Sequence, residues 1–252
     1  MAVKVLYQAD ILLDGVAAST ESNKVKVSYS QEVKDFTAFQ DTNRKYLPSL
    51  ATVQASAEGY YQTGAGLTVN LLESKFPALS SFTATTVTIG DTTTVGDFVD
   101  IFQAVPILLE YAGKDGEILP FSFDTRNAGA RGGVRATRLF RSSLQTASSN
   151  QGTAVNLGAV TATQGFYAAL HILQTTGTTA GVAFSLISAA SSSLTGATTR
   201  YTFTPGTSAV GAQFVTSTSA GAITDTWWAL SWAGFPAGAT QGFTASLSVG
   251  IQ

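Results

Sequence analysis

Between Phe243 and Ile251 the side chains of Phe243, Ala245, Leu247, Val249 and Ile251 alternate with Thr244, Ser246 and Ser248. A period of two is the spacing of a strand whose successive side chains point to opposite faces, here one apolar and one polar. The same period recurs in short runs along the chain, each bounded by Gly, Asn, Asp or Ser clusters, and it constrains the chain to a mainly β fold. In the first part, strands are expected over residues 2–8, 24–30, 51–61, 82–89, 105–112, 117–125 and 134–141, with GKDGE at 113–117 as a tight turn. Val69, Leu72 and Phe76 recur at helical spacing before Pro77, so one helix is expected over 67–76. Residues 95–102 fit a second short helix or a strand.

Charge divides the chain. Thirteen of its 14 basic and 15 of its 16 acidic residues precede Gln145, leaving Arg200 and Asp225 as the charges of the remainder. A boundary is expected at the polar run TASSNQGTA, which separates an assembly domain (1–145) from a β-sandwich (155–252) across a linker at 146–154. The sandwich reads as roughly eight short strands, among them 166–173, 182–188, 200–204, 226–232 and 243–251. A surface rich in Ser, Thr, Ala and Gly and poor in charge leaves two readings open: a hydroxyl-rich sandwich, or a surface covered in an assembly.

The net charge of −2 provides no field to concentrate nucleic acid or anionic membrane. No run of about 20 apolar residues is present to span a bilayer as a helix. The opening MAVKVLYQAD lacks the layout of a signal peptide, so synthesis in a cytoplasm is expected. Without cysteine there is no disulfide, thiolate metal site or cysteine nucleophile.

Residues 24–61 contain two strand-like arms joined by a long connection. Val25, Val27 and Tyr29 alternate with Lys24, Lys26 and Ser28; Ala51, Val53, Ala55 and Ala57 alternate with Thr52, Gln54, Ser56 and Glu58. The connection, about 31–50, is too long for a tight hairpin. Phe36, Phe39, Tyr46 and Leu47 make it too apolar for a tether. Its aromatics either meet a neighbouring subunit or fold back on their own domain.

This segment resembles the major tail tube proteins of long-tailed bacteriophages. The matching stretch is AFQDTNRKYLPSLATVQASAEGYY, with Phe39, Asp41, Thr42, Arg44, Leu47, Pro48, Leu50, Tyr60 and Tyr61. The helix at 67–76, the turn GKDGE and the strand PFSFDTRNAG also look similar, so the resemblance covers about residues 1–142. It implies a tail-tube-like β-barrel carrying an external jelly-roll or immunoglobulin-like β-sandwich. It further implies a non-enzymatic virion protein whose copies form stacked hexameric rings around a DNA-conducting channel. Partners would be copies of itself and other tail proteins, with DNA passing through unbound, and the location the virion tail. Phe36, Phe39, Asp41, Arg44 and Tyr46 would then make inter-subunit contacts. The alternative is a head decoration or host-attachment protein with a glycan-binding sandwich.

Residues that could carry chemistry are sparse, and no cofactor or metal site is expected. The one histidine, His171, reads as structural, since a Ser-His-Asp site with Asp225 lacks the G-x-S-x-G turn. The pairs Asp97/Asp100 and Asp115/Glu117 read as solvated or capping groups. Arg131, Arg135, Arg138 and Arg141 form the densest basic stretch. Strict alternation splits them between two faces, Arg138 opposite Arg135 and Arg141. That suits salt bridges to a neighbour's acids better than a phosphate track. Trp228, Leu230 and Trp232 share an expected core face. Trp227 points the other way beside Asp225, where it could stack on a sugar.

Overall fold

The computed structural model describes the chain except residues 1–8, 36, 38–42, 45, 63, 65–66, 76–84, 91, 112, 115–117, 129–131, 147–149, 177–181, 205–209, 219–220 and 235–241. The fold is mainly β. Its strands are β1 (Asp10–Leu13), β2 (Val16–Ala17), β3 (Ser22–Asp35), β4 (Tyr46–Tyr60), β5 (Thr85–Gly90), β6 (Phe98–Tyr111), β7 (Pro120–Asn127) and β8 (Val134–Arg141), with the single described helix α1 (Thr68–Lys75) between β4 and β5. After residue 145 come β9 (Asn150–Gln151), β10 (Val155–Asn156), β11 (Gly165–Thr176), β12 (Ala183–Ala189), β13 (Thr198–Thr202), β14 (Gly211–Thr218), β15 (Trp227–Ala233) and β16 (Gly242–Ile251). The strand expected at 2–8 and the expected sites Asp115, Glu117 and Arg131 lie outside the described residues. Of the segment 95–102, residues 95–96 form a turn and 98–102 open β6, so it is not a helix.

Eleven strands form one sheet and five a second. In the first, β3-β4-β7-β6-β5-β1-β2 curls into a nearly closed barrel, because β2 and β3 are joined by the short 3-10 turn Ala18–Thr20. Alternate residues fill its interior: Ile11 and Leu13, Val53, Ala55 and Ala57, Val87 and Ile89, Phe102 and Ala104, Phe121 and Phe123. Val69 and Leu72 of α1 plug the same core. The helix is held at its N-terminus by buried Glu21, whose carboxylate accepts from the Thr68 N–H at 3.1 Å and the Thr68 hydroxyl at 3.2 Å. A carboxylate there satisfies orphan amides and complements the helix dipole.

The same sheet continues from β6 through β8, β16 and β11 to β14, so both sides of residues 146–154 share it. The second sheet, β10-β15-β12-β13 with β9 on β15, packs over β11 and β16 to make the sandwich. Trp228 and Trp232 are buried in its core, as their spacing predicts, with the Trp232 ring centroid 5.4 Å from that of Phe243. The other face of β16 departs from expectation. Ser246 and Ser248 are fully buried, because β16 lies between β8 and β11 and its polar face covers the barrel.

A bulge also revises the arginine stretch. Ser248 pairs with Arg138 but Leu247 pairs with Phe140, so Leu139 is the extra residue. One inserted residue flips the parity beyond it, and Arg138 and Arg141 come to one face, both on Asp10 of β1. Arg135 keeps the opposite face and lies 3.7 Å from Asp100. The acids that these arginines meet belong to their own chain, because the barrel brings β1 and β6 against β8.

Candidate functional site

The arms at 24–61 are longer than their alternation indicates. β3 runs 14 residues and β4 runs 15, and their pairing continues to Asp35 opposite Tyr46. A register shift between Gln31 and Val33 absorbs the irregular stretch, and Pro48, which has no N–H to give a ladder, pairs with Val33 just beyond it. The connection therefore shrinks from the expected 31–50 to residues 36–45.

β4 pairs with β7 over Gln54–Tyr60, and β3 pairs only with β4 among the described strands. Residues 46–52 with their β3 partners thus form a two-stranded ribbon, about 23 Å long at about 3.3 Å per residue, beyond the barrel. Residues 29–35 are exposed throughout, with Val33 at 61%.

A cluster of exposed side chains marks the base of the ribbon. The Tyr29 hydroxyl donates to Asp100 Oδ1 at 2.7 Å, and partial burial, then this bond and the Asp100 charge, raise the Tyr29 pKa. Arg135, beside the same carboxylate, lies over the Phe98 ring at 5.2 Å from its centroid. Tyr29 and Phe98 are nonetheless 56% and 62% exposed. Exposed Tyr, Phe and Arg held in fixed positions are the residue types that anchor interfaces. Residues 97–100 carry no alternation that would single out Phe98; the pairing of β6 with β8 brings it to Arg135.

Of the residues expected at subunit contacts, Phe36, Phe39 and Asp41 lie outside the described residues. Arg44 is exposed, and Tyr46 opens β4 opposite Asp35. They are not shown to meet. Trp227 opens β15 between Ala189 and Asn156 and is half-buried.

Among the described residues no Ser-His-Asp arrangement forms around His171. Its Nδ1 accepts from the Gly15 N–H at 3.2 Å, which leaves Nε2 as the donor to Thr88 Oγ1 at 2.9 Å. Burial, then the charges of Arg138 and Arg141, lower its pKa to about 3, so it is neutral. Asp225 instead accepts from Ser188 at 2.8 Å and from Arg200 at 2.7 Å, which hold its pKa below the usual value. Among the described residues no group of three or more His, Cys, Asp or Glu could hold a metal ion. Nor is any described helix long and apolar enough to cross a membrane.

Neither a family model nor a curated protein matches the chain. Solved structures similar to it include a protein in the virion of a native gene transfer agent particle, 16% identical over 49% of this chain and 95% of that one, with a TM-score of 0.39. Another is in the tail of an empty gene transfer agent particle refined with C6 symmetry, 13% identical over 44% of this chain and 79% of that one, TM-score 0.36. A third is the Dit protein of phage SPP1, described as a paradigm of the hub adsorption apparatus in phages that infect Gram-positive bacteria. It is 10% identical over 97% of this chain and 99% of that one, TM-score 0.38.

Proposed function

We propose that this chain is a structural virion protein, a phage tail tube subunit whose function is contact with copies of itself. The observation that carries the reading is the projecting β3–β4 ribbon. An isolated two-stranded ribbon is marginally stable in water, and an exposed edge strand of 14 residues invites pairing with another chain. A protein that keeps both gains by having a partner cover them. In this reading the ribbons of adjacent copies complete a barrel shared around a ring, and the rings stack to enclose a channel through which DNA passes without specific binding. Hexameric symmetry follows from the resemblance of residues 1–142 to tail tube proteins. Phe36, Phe39, Asp41, Arg44 and Tyr46, on and beside the ribbon tip, contact the next subunit. Residues 155–252 form the outward sandwich.

Negative-stain electron microscopy of the purified full-length protein tests this. Stacked rings or hollow tubes are the expected result. Compact trimers with glycan affinity, quenched at Trp227 on glycan addition, would overturn it in favour of an attachment or decoration protein.

A further inference from the structure

Among the described residues, the polar layer beneath the junction of β1, β8 and β16 holds more positive than negative charge. Asp10 accepts from Arg138 through Oδ2 and from Arg141 Nη2 through Oδ1, the latter at 3.2 Å. The side chains of Asp10, Arg138 and Arg141 are 2%, 0% and 17% exposed. One carboxylate between two guanidinium groups leaves one positive charge in surplus where water is scarce, and such a charge is costly unless paired. Unpartnered donors accompany it. Arg138 Nε and Nη2, Arg141 Nη1 and the hydroxyls of Ser22, Ser246 and Ser248 are buried without a hydrogen-bond partner. A water could satisfy a donor, but it leaves the surplus charge uncompensated.

Asp10 and Arg141 also form part of the wall of a cleft of about 600 Å³ between the start of β3 and the end of β8, with Ser22 and Asn23 among its other polar residues. Asp10 and Arg141 are its only charged described lining residues. Since both Asp10 oxygens are engaged by arginine, the charge on this wall is that of Arg141, whose side chain is 17% exposed.

We propose that this cleft is an oxyanion site, taking a carboxylate or phosphate group against Arg141, with Ser22 on the same wall. Guanidinium presents donors in a planar fork that matches such groups, and charge-assisted bonds of this kind are the strong ones. The site stands independently of the tube reading, since it rests on charge and unpartnered donors within one chain.

The test is titration of the full-length protein with inorganic phosphate or acetate against chloride at matched ionic strength, read by thermal unfolding and by calorimetry. A saturable rise in Tm of roughly a few degrees is expected. Arg141→Gln should weaken half-saturation about tenfold or more, in line with loss of a charge-assisted bond. Ser22→Ala, a small change on the cleft wall, should weaken it less and serves if Arg141→Gln folds poorly. No saturable heat in the wild type, or an equal phosphate response in wild type and both variants, would overturn the site. The second outcome would reveal only the general stabilisation that phosphate gives any fold. Sedimentation identifies the source of the oxyanion. Phosphate that dissociates assembled protein points to an acidic group of another copy, whereas unchanged assembly with the Tm rise retained points to a free solute; either supports the site.

Discussion

Gly15 and His171, 156 residues apart, meet where the β1–β2 turn touches β11. Asp14 and Gly15 take positive φ values of 44° and 86°, the geometry of a two-residue hairpin turn. A Cβ on Gly15 would lie 2.5 Å from the Ile172 carbonyl oxygen. Gly15→Ala should therefore destabilise by more than the ~1–2 kcal/mol of a left-handed non-glycine residue, measurable as a lower urea midpoint. His171 gives the fold a defined acid response. Its pKa is about 3 in the native state against an ordinary 6.5, so the unfolded chain takes up the proton first. The stability it confers is complete above pH 6.5 and is lost as pH falls toward 3, by up to about 1.4 kcal/mol per pH unit. Because the chain has one histidine, the window from about pH 6 to 5 is nearly free of other side-chain titrations. Urea unfolding across that window should show the slope in the wild type and a flat line in His171→Gln. Equal slopes would assign the effect elsewhere.

Among the elements, the helix and the ribbon depend on different kinds of contact. α1 is eight residues long, too short to persist alone, and relies on Glu21 from a distant turn. Glu21→Ala should cost about 1.5–3 kcal/mol, the range for a bond to a charged group, read by chemical denaturation. In the proposed tube reading the ribbon relies on other copies, so Val33→Lys and Phe98→Ala, both at exposed positions, should leave the denaturation midpoint nearly unchanged. Each should weaken self-association by roughly tenfold or more, measured by sedimentation. A loss of stability equal to the loss of assembly would place these side chains in the fold instead. Much of this was legible in sequence: period-two runs locate β8, β12, β15 and β16 closely, and helical spacing before Pro77 finds α1. The missed pieces are instructive. Strand β1 with its Asp14-Gly15 turn is only four residues long, too brief for periodicity, although the Asp-Gly pair between apolar residues was a usable sign. The ribbon's full length and the shared face of Arg138 and Arg141 both depend on bulges, which pairing reveals and alternation hides.

At the scale of the whole molecule, the charged and the uncharged parts of the sequence are bound by one sheet. Val99, Ile101, Val134 and Ala136 from before residue 145 pack with Tyr167, Ala169 and Phe214 from after it. Residues 1–145 expressed alone should therefore expose the edge of β8 and this apolar surface. They are expected to aggregate or bind a hydrophobic dye, while the full chain does not. A monodisperse, cooperatively unfolding 1–145 fragment would show that the barrel needs nothing from the sandwich. Trp227, half-buried at the start of β15, lies outside the buried Trp228–Trp232 core.

Strand β16 pairs with β8 on one side and β11 on the other, yet it follows every other described strand in chain order. During translation the large sheet therefore stays divided until residues 242–251 have left the ribosome. A nascent chain can fold its barrel strands early but cannot join them to the sandwich until then. Polymerisation that required the joined form would wait for residues 242–251, and polypeptides still short of them would be kept from stacking on each other.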